Sequence, residues 1–148
     1  MARHLAAAGH SLTVYNRTPA KALEWVANNG HQASPTAAEA VAEAEFVMMC
    51  VGGDDDVRQV ALGDSGALAG MQAGATLVDH TTASAEVARE VAAACAERGF
   101  GFVDAPVSGG QAGAENGQLT VMCGSDDRGV YEAARELIMA YARECRLL

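Results

Sequence analysis

Phe46-Val47-Met48-Met49-Cys50-Val51 is the longest clean apolar run in the sequence, and Gly52-Gly53 closes it ahead of Asp54-Asp55-Asp56. Six apolar residues without alternation read as a strand covered on both faces, the pattern of a parallel sheet held between helices. The acidic trio then opens a helix, where carboxylates cap free amides and complement the helix dipole. A metal site would need further oxygen ligands at defined spacing, and none accompany these aspartates. The same rhythm of short strand and longer helix extends in both directions. Upstream, Met1 to Ala8 reads as a helix stopped at Gly9, and Leu12-Thr13-Val14-Tyr15 as a short strand. Pro19 opens a helix to about Asn28, with Leu23 and Val26 inward, and Ser34-Pro35-Thr36 starts another through Ala44. Downstream, strands are expected over 75–79, 101–104 and 119–123. Ser84 caps a helix that ends at Gly99, and a last helix runs over 126–141. Strands alternating with helices at this spacing mean parallel βαβ units, hence an α/β doubly wound sheet.

The 148 residues suit one domain, with no repeat, low-complexity tract or linker to divide it. Hydrophobic residues make up 50% and aromatics only 5%, so the core must rest on Ala, Val and Leu. Ten basic against nineteen acidic residues give a net charge of −9, which argues against a nucleic-acid partner or an electrostatic membrane anchor. The longest apolar run is far short of the ~20 residues that cross a bilayer. Cys50, Cys95, Cys123 and Cys145 are widely spaced and read as buried thiols of a cytoplasmic protein. The histidines His4, His10, His31 and His80 show no zinc spacing.

In open α/β sheets ligands bind beyond the carboxyl ends of the strands, so the residues after Tyr15, Val51, Asp79 and Asp104 matter most. Tyr15 is followed by Asn16-Arg17-Thr18. At that place in a dinucleotide fold an Arg accommodates the 2′-phosphate of NADP, and a guanidinium fork suits phosphate. The other reading is a solvated arginine in a turn. Thr81 and Thr82 offer hydroxyls to a ribose or a nicotinamide amide, or serve turn and capping chemistry. Ser108-Gly109-Gly110 can present a hydroxyl and backbone amides to a carboxylate, or be a turn for conformational reasons alone. His80 either faces a cofactor or is a satisfied structural histidine. No G-x-G-x-x-G occurs, and the sequence opens on a helix where a dinucleotide fold opens on a strand and glycine loop.

Asp104-Ala105-Pro106-Val107-Ser108-Gly109-Gly110, with Gly113-Ala114 and Gly117-Gln118-Leu119-Thr120 after it, resembles the substrate-binding segment of the β-hydroxyacid dehydrogenase family. That family includes 3-hydroxyisobutyrate dehydrogenase, tartronate semialdehyde reductase and the glyoxylate/succinic semialdehyde reductases. Asp79-His80-Thr81-Thr82 resembles its D-x-[ST]-[ST] segment, which implies a cofactor contact at Thr82. Asn16-Arg17-Thr18 resembles the adenosine-side turn of its NADPH-using members. Cys50-Val51 stands where the family commonly has a cofactor-lining Leu-Pro pair. The resemblance implies NADP, with NAD as the alternative, and hydride transfer between a nicotinamide and a small carboxylate-bearing substrate. It implies that Ser108, Gly109 and Gly110 hold the substrate carboxylate.

The same likeness implies a partial NAD(P)-binding domain of the 6-phosphogluconate dehydrogenase type over 1–148. The family's first strand, glycine loop, catalytic lysine and helical dimerisation domain are expected to lie outside these residues, so they are expected to be inactive alone. A non-catalytic nucleotide-binding or protein-interaction module, or a truncated reading frame, are the alternatives. Relatives of full length are expected to be homo-oligomers. In the strand order 3-2-1-4-5-6 the first strand separates the second from the fourth. Strands 12–15 and 46–51 are therefore expected to stand roughly 9–10 Å apart, at twice the usual spacing, or to slide together and pair.

Overall fold

Three parallel strands form the centre of the molecule in this computed structural model, which describes residues 1–148. β3 (Phe46–Met49), β4 (Thr76–Asp79) and β5 (Gly101–Asp104) pair in that order, with Met49, Asp79 and Asp104 level at their carboxyl ends. Alternate side chains of this sheet enter two separate cores. Leu77, Val47 and Met49 pack with Val87, Val91 and Cys95 of α6 (Ala85–Glu97). Val78 and Val103 point the other way, to Leu5 of α1 (Ala2–Ala7) and to Tyr131, Ala134 and Ile138 of α8 (Arg128–Ile138). With both faces covered, neither set of positions can be polar, which is why the run at 46–51 shows no alternation. Each fully buried Val or Leu contributes about 1.5–3 kcal/mol.

Two smaller sheets flank this centre. β1 (Thr13–Val14) pairs in parallel with β2 (Gln32–Ala33), which comes after α2 (Pro19–Asn29). β6 (Val107–Ser108) runs antiparallel to β7 (Leu119–Cys123), and β8 (Ala142–Leu147) lies parallel to β7. A single bridge between Asp104 and Gly124 ties β5 to the end of β7. Between β6 and β7 lies the short α7 (Gly110–Glu115).

Four details depart from the sequence reading. Leu23 is 63% exposed, and α2 instead buries Ala22, with Trp25 and Val26 half-buried beside it. Cys50 is exposed, whereas the other three thiols are buried. The last helix stops at Ile138, because Tyr141 turns inward and Ala142–Leu147 adopts the strand β8. Two-residue β2 and mixed-polarity β8 carry no apolar run to announce them, since each is held by backbone pairing to one neighbour. The third helix is a single turn, α3 (Ala37–Ala40), capped by Thr36 and packed on α5 (Ala67–Gly70). The two approach so closely that a Cβ on Gly70 would collide with the Ala38 carbonyl oxygen.

The acidic trio forms α4 (Asp54–Val57), which passes into a π-helical turn over Arg58–Leu62. Its Asp54 carboxylate reaches outside its own helix, accepting from the Ser84 amide at 2.8 Å and the Ser84 hydroxyl at 2.5 Å. Ser84 in turn caps α6 by accepting from Val87 N–H at 3.2 Å. The starts of α4 and α6 are thereby tied together.

β1 and β3 do not pair. β1 bonds only to β2 and β3 only to β4, so the sideways slide into pairing is not seen. A cleft of about 1080 Å³ lies between them, lined by Leu12 to Thr18 on one side and Glu43 to Gly52 on the other.

Candidate functional site

The carboxyl ends of β3, β4 and β5 form one rim, and a chain of hydrogen bonds fixes its backbone. His80 N–H donates to the Met49 carbonyl at 2.8 Å, and Ala105 N–H to the Asp79 carbonyl at 2.7 Å. The Thr81 hydroxyl accepts from Val51 N–H at 3.0 Å, and Thr81 N–H donates to the Asp79 carboxylate at 2.9 Å. Asp79 is buried, and burial raises its carboxyl pKa above the ordinary value while the Thr81 bonds pull it down. Asp104 is raised as well, by burial and then by Asp79. Thr81 is thus a structural clamp, and the neighbouring Thr82 is left exposed to solvent.

His80 is structural too. Its Nδ1 lies 2.7 Å from the Ala105 carbonyl, which can only accept, so Nδ1 carries the proton. Nε2 then accepts from the Tyr141 hydroxyl at 2.6 Å. Burial holds the imidazole below its ordinary pKa, with the Ala105 bond acting the other way. A histidine neutral in the fold binds fewer protons than the unfolded chain, so stability falls as pH drops through about 6.5 towards the folded value. Urea unfolding is expected to show lower stability at pH 5.5 than at 7.5, with a smaller difference in His80→Gln. An equal difference in both proteins would place the sensitivity elsewhere.

Asn16, Arg17 and Thr18 lie just past β1 at the same end, and Asn16 Oδ1 accepts from Thr18 N–H at 2.9 Å to hold their turn. The Arg17 guanidinium is 70% exposed and bonds Asp56 of α4 at 2.7 Å, across the mouth of the cleft. The sequence reading missed Asp56 as its partner. The signal was there: a carboxylate in the helix directly after the glycines that end β3. Cys50 and Val51 line the same mouth, so five of the expected cofactor residues share one rim. Burial and the Asp79 charge push the Cys50 thiol up. Thr82 and the trio Ser108, Gly109 and Gly110 stand outside this cleft. Ser108 ends β6 opposite Thr120, and Gly109 and Gly110 turn the chain with φ of 131° and 63°. All three are exposed.

An exposed guanidinium beside exposed Asn16 and Thr18, at the carboxyl end of a parallel strand, could receive a negatively charged part of a nucleotide. A two-sided α/β sheet with such a rim defines the class of nucleotide-binding Rossmann-type domains.

Comparison with known proteins places the chain within that class. Residues 1–148 match the NAD-binding domain of 6-phosphogluconate dehydrogenase, and the chain belongs to that family. It is 54% identical over 148 residues to an uncharacterized oxidoreductase of Shewanella frigidimarina, covering all of this chain and 50% of that protein. It is 40% identical over 126 residues to the Arabidopsis thaliana protein described as probable 3-hydroxyisobutyrate dehydrogenase-like 2, mitochondrial, covering 85% and 42% of the two. Among solved structures, 3-hydroxyisobutyrate dehydrogenase of Mycobacterium tuberculosis superposes with a TM-score of 0.89 at 31% identity, over 98% of this chain and 48% of that one. Psf3 in complex with NADP+ and 2-OPP gives a TM-score of 0.89 at 26% identity, over 99% and 51%. The chain spans about half the length of the relatives it matches. It is an NAD-binding domain, similar to the corresponding part of 3-hydroxyisobutyrate dehydrogenase-like proteins. No helix is long and apolar enough to cross a membrane.

Proposed function

We propose that residues 1–148 are the nucleotide-binding part of an NADP-preferring oxidoreductase. The reaction interconverts a small β-hydroxyacid and its semialdehyde or keto form. One observation carries the cofactor choice: the cation at the end of β1 is Arg17, exposed and held towards the rim by Asp56. A bound nicotinamide dinucleotide supplies or accepts the hydride. Arg17, Asn16 and Thr18 hold its adenosine end, and Cys50, Val51 and Thr82 line its path to the substrate. Ser108, Gly109 and Gly110 present a free hydroxyl and accessible amides to the substrate carboxylate. A helical second domain and the lysine that handles the proton lie outside these residues, and the whole protein is a homo-oligomer. Four free cysteines support a cytoplasmic setting, and the net charge of −9 speaks against nucleic acid as a partner.

Two substitutions in an active protein carrying these residues test the reading. Arg17→Asp sets a second carboxylate against Asp56 and removes the contact to the 2′-phosphate. Charge-assisted hydrogen bonds are worth about 1.5–3 kcal/mol, so the preference for NADPH over NADH is expected to fall roughly ten- to a hundredfold. The ratio of the two kcat/KM values measures it, and an unchanged ratio sinks the proposal for Arg17. Ser108→Ala is expected to raise KM for the carboxylate substrate while leaving cofactor affinity in place. Weakened NADPH binding with unaltered substrate kinetics would move Ser108 to the cofactor side.

A further inference from the structure

The three aspartates that open α4 have different partners, and only one of them faces the cleft. Asp54 is taken by the amide and hydroxyl of Ser84. Asp55 is fully exposed and lies 3.5 Å from Arg58, next along the same segment. Asp56 alone of the three lines the cleft, and its Oδ1 accepts from Arg17 Nη1 at 2.7 Å. Its other carboxylate oxygen lies against Gly52, where a Cβ would collide with it. The first glycine after the run at 46–51 thus leaves the room that this carboxylate fills. Two tethers to α6 hold α4 in that pose. Ser84 binds Asp54, and Arg58 makes a two-pronged pair with Glu90 at 2.8 and 2.9 Å.

Arg17 is therefore not a free cation. Its guanidinium forms no hydrogen bond besides the one to Asp56, so any anion it receives must share it with that carboxylate. A phosphate monoester carries a charge of about −1.5 to −2 at neutral pH. Sharing one guanidinium, it and a carboxylate repel through water by an amount worth roughly tenfold in affinity. The help that Asp56 gives by aiming Arg17 is smaller, because an exposed ion pair fixes a long side chain only weakly. A ribose that keeps its 2′-hydroxyl meets no such opposition, and a hydroxyl can donate to a carboxylate.

We propose that Asp56 is a specificity-determining residue for the cofactor: its charge, set against Arg17, limits the advantage of a 2′-phosphorylated dinucleotide over an unphosphorylated one. The inference rests on the reading of Arg17 given above and extends it. The guanidinium favours the phosphate, the carboxylate opposes it, and the two stand 2.7 Å apart on one rim. The strength of discrimination is the difference between them.

The test is Asp56→Asn in an active protein carrying these residues, which removes the charge and keeps an oxygen that can accept from Arg17. Calorimetric titration with adenosine 2′,5′-bisphosphate and with adenosine 5′-monophosphate reads the effect without turnover, since the two differ only in the 2′-phosphate. Affinity for the bisphosphate is expected to rise about tenfold at ~0.02 M salt and less than about threefold at ~0.5 M, where exposed charges are screened. Affinity for the monophosphate is expected to change less than about twofold, because it places no charge beside the carboxylate. An unchanged or weakened affinity for the bisphosphate overturns the proposal. So does an equal gain for both ligands, which a purely structural role at the start of α4 would give. Arg17→Ala separates this inference from the reading beneath it. If that variant binds the bisphosphate as before, the assignment of Arg17 falls and this inference with it. If it binds more weakly while Asp56→Asn brings no gain, only the role of Asp56 falls.

Discussion

Assayed alone with NADPH and succinic semialdehyde, glyoxylate or tartronate semialdehyde, the 148-residue polypeptide is expected to show no reduction above background. Carbonyl reduction needs a proton for the forming alkoxide, and a positioned acid is worth ~10²–10⁴-fold. The imidazole, phenol, thiol and ammonium groups nearest the rim are poorly suited to the task. His80 is 2% exposed, with both ring nitrogens engaged by Ala105 and Tyr141. Tyr141 is buried completely, and burial pushes its hydroxyl far above the usual range. The Cys50 thiol is held above its ordinary value, away from the neutral pKa that suits a proton donor. Lys21, the single lysine in the sequence, sits in α2 beyond the end of β1. NADPH oxidation monitored over time measures the outcome. Steady turnover with an ordinary bell-shaped pH profile would defeat the prediction.

Much of this was legible in the sequence because the central strands announce themselves. The unalternated run at 46–51 carries both faces of a covered sheet in one stretch, and Ser84 caps its helix with the bond its residue type implies. The rim residues Asn16, Arg17, Cys50 and Val51 are legible from their positions just past a strand, since topology gathers the strand ends in one place. The features that could not be read depend on tertiary partners. Ala22 rather than Leu23 is buried because of how α2 docks, and an 11-residue helix of modest amphipathicity leaves that rotation open. β8 reads as polar because Arg143, Glu144 and Arg146 alternate around buried Ala142 and Cys145; its pairing to β7 decides it. Asp56 as partner of Arg17 and Asp54 as partner of Ser84 join residues 39 and 30 positions apart. The Asp54–Ser84 pairing leaves no local trace.

The open edges lead to the last expectation: the 148-residue polypeptide by itself is expected to be poorly stable and to associate without limit. Phe46 and Met48 face the cleft with unpaired amides on an apolar strand, and such edges invite pairing with another chain. A backbone group cut off from water and unpaired costs about 1–3 kcal/mol. Here the cleft opens to solvent at exposed Thr13 and Cys50, so water recovers part of that cost and the fold persists in weakened form. The edges of β1 and β3 differ in sequence, so a contact between the two is heterologous and leaves an edge free to add further copies unless a ring closes. Opposing association is the net charge of −9, which keeps copies apart while its field extends. The Debye length shrinks from about 30 Å at 0.01 M salt to about 10 Å at 0.1 M, and edge pairing acts only at contact. Charge therefore wins at low salt and the edges win at high salt. The weight-average mass from sedimentation is expected to rise with both salt and protein concentration, and unfolding to be broad. A monomer at every salt concentration with a sharp two-state melt would show that the edges are satisfied within the chain, and that the separation of β1 from β3 does not persist in solution.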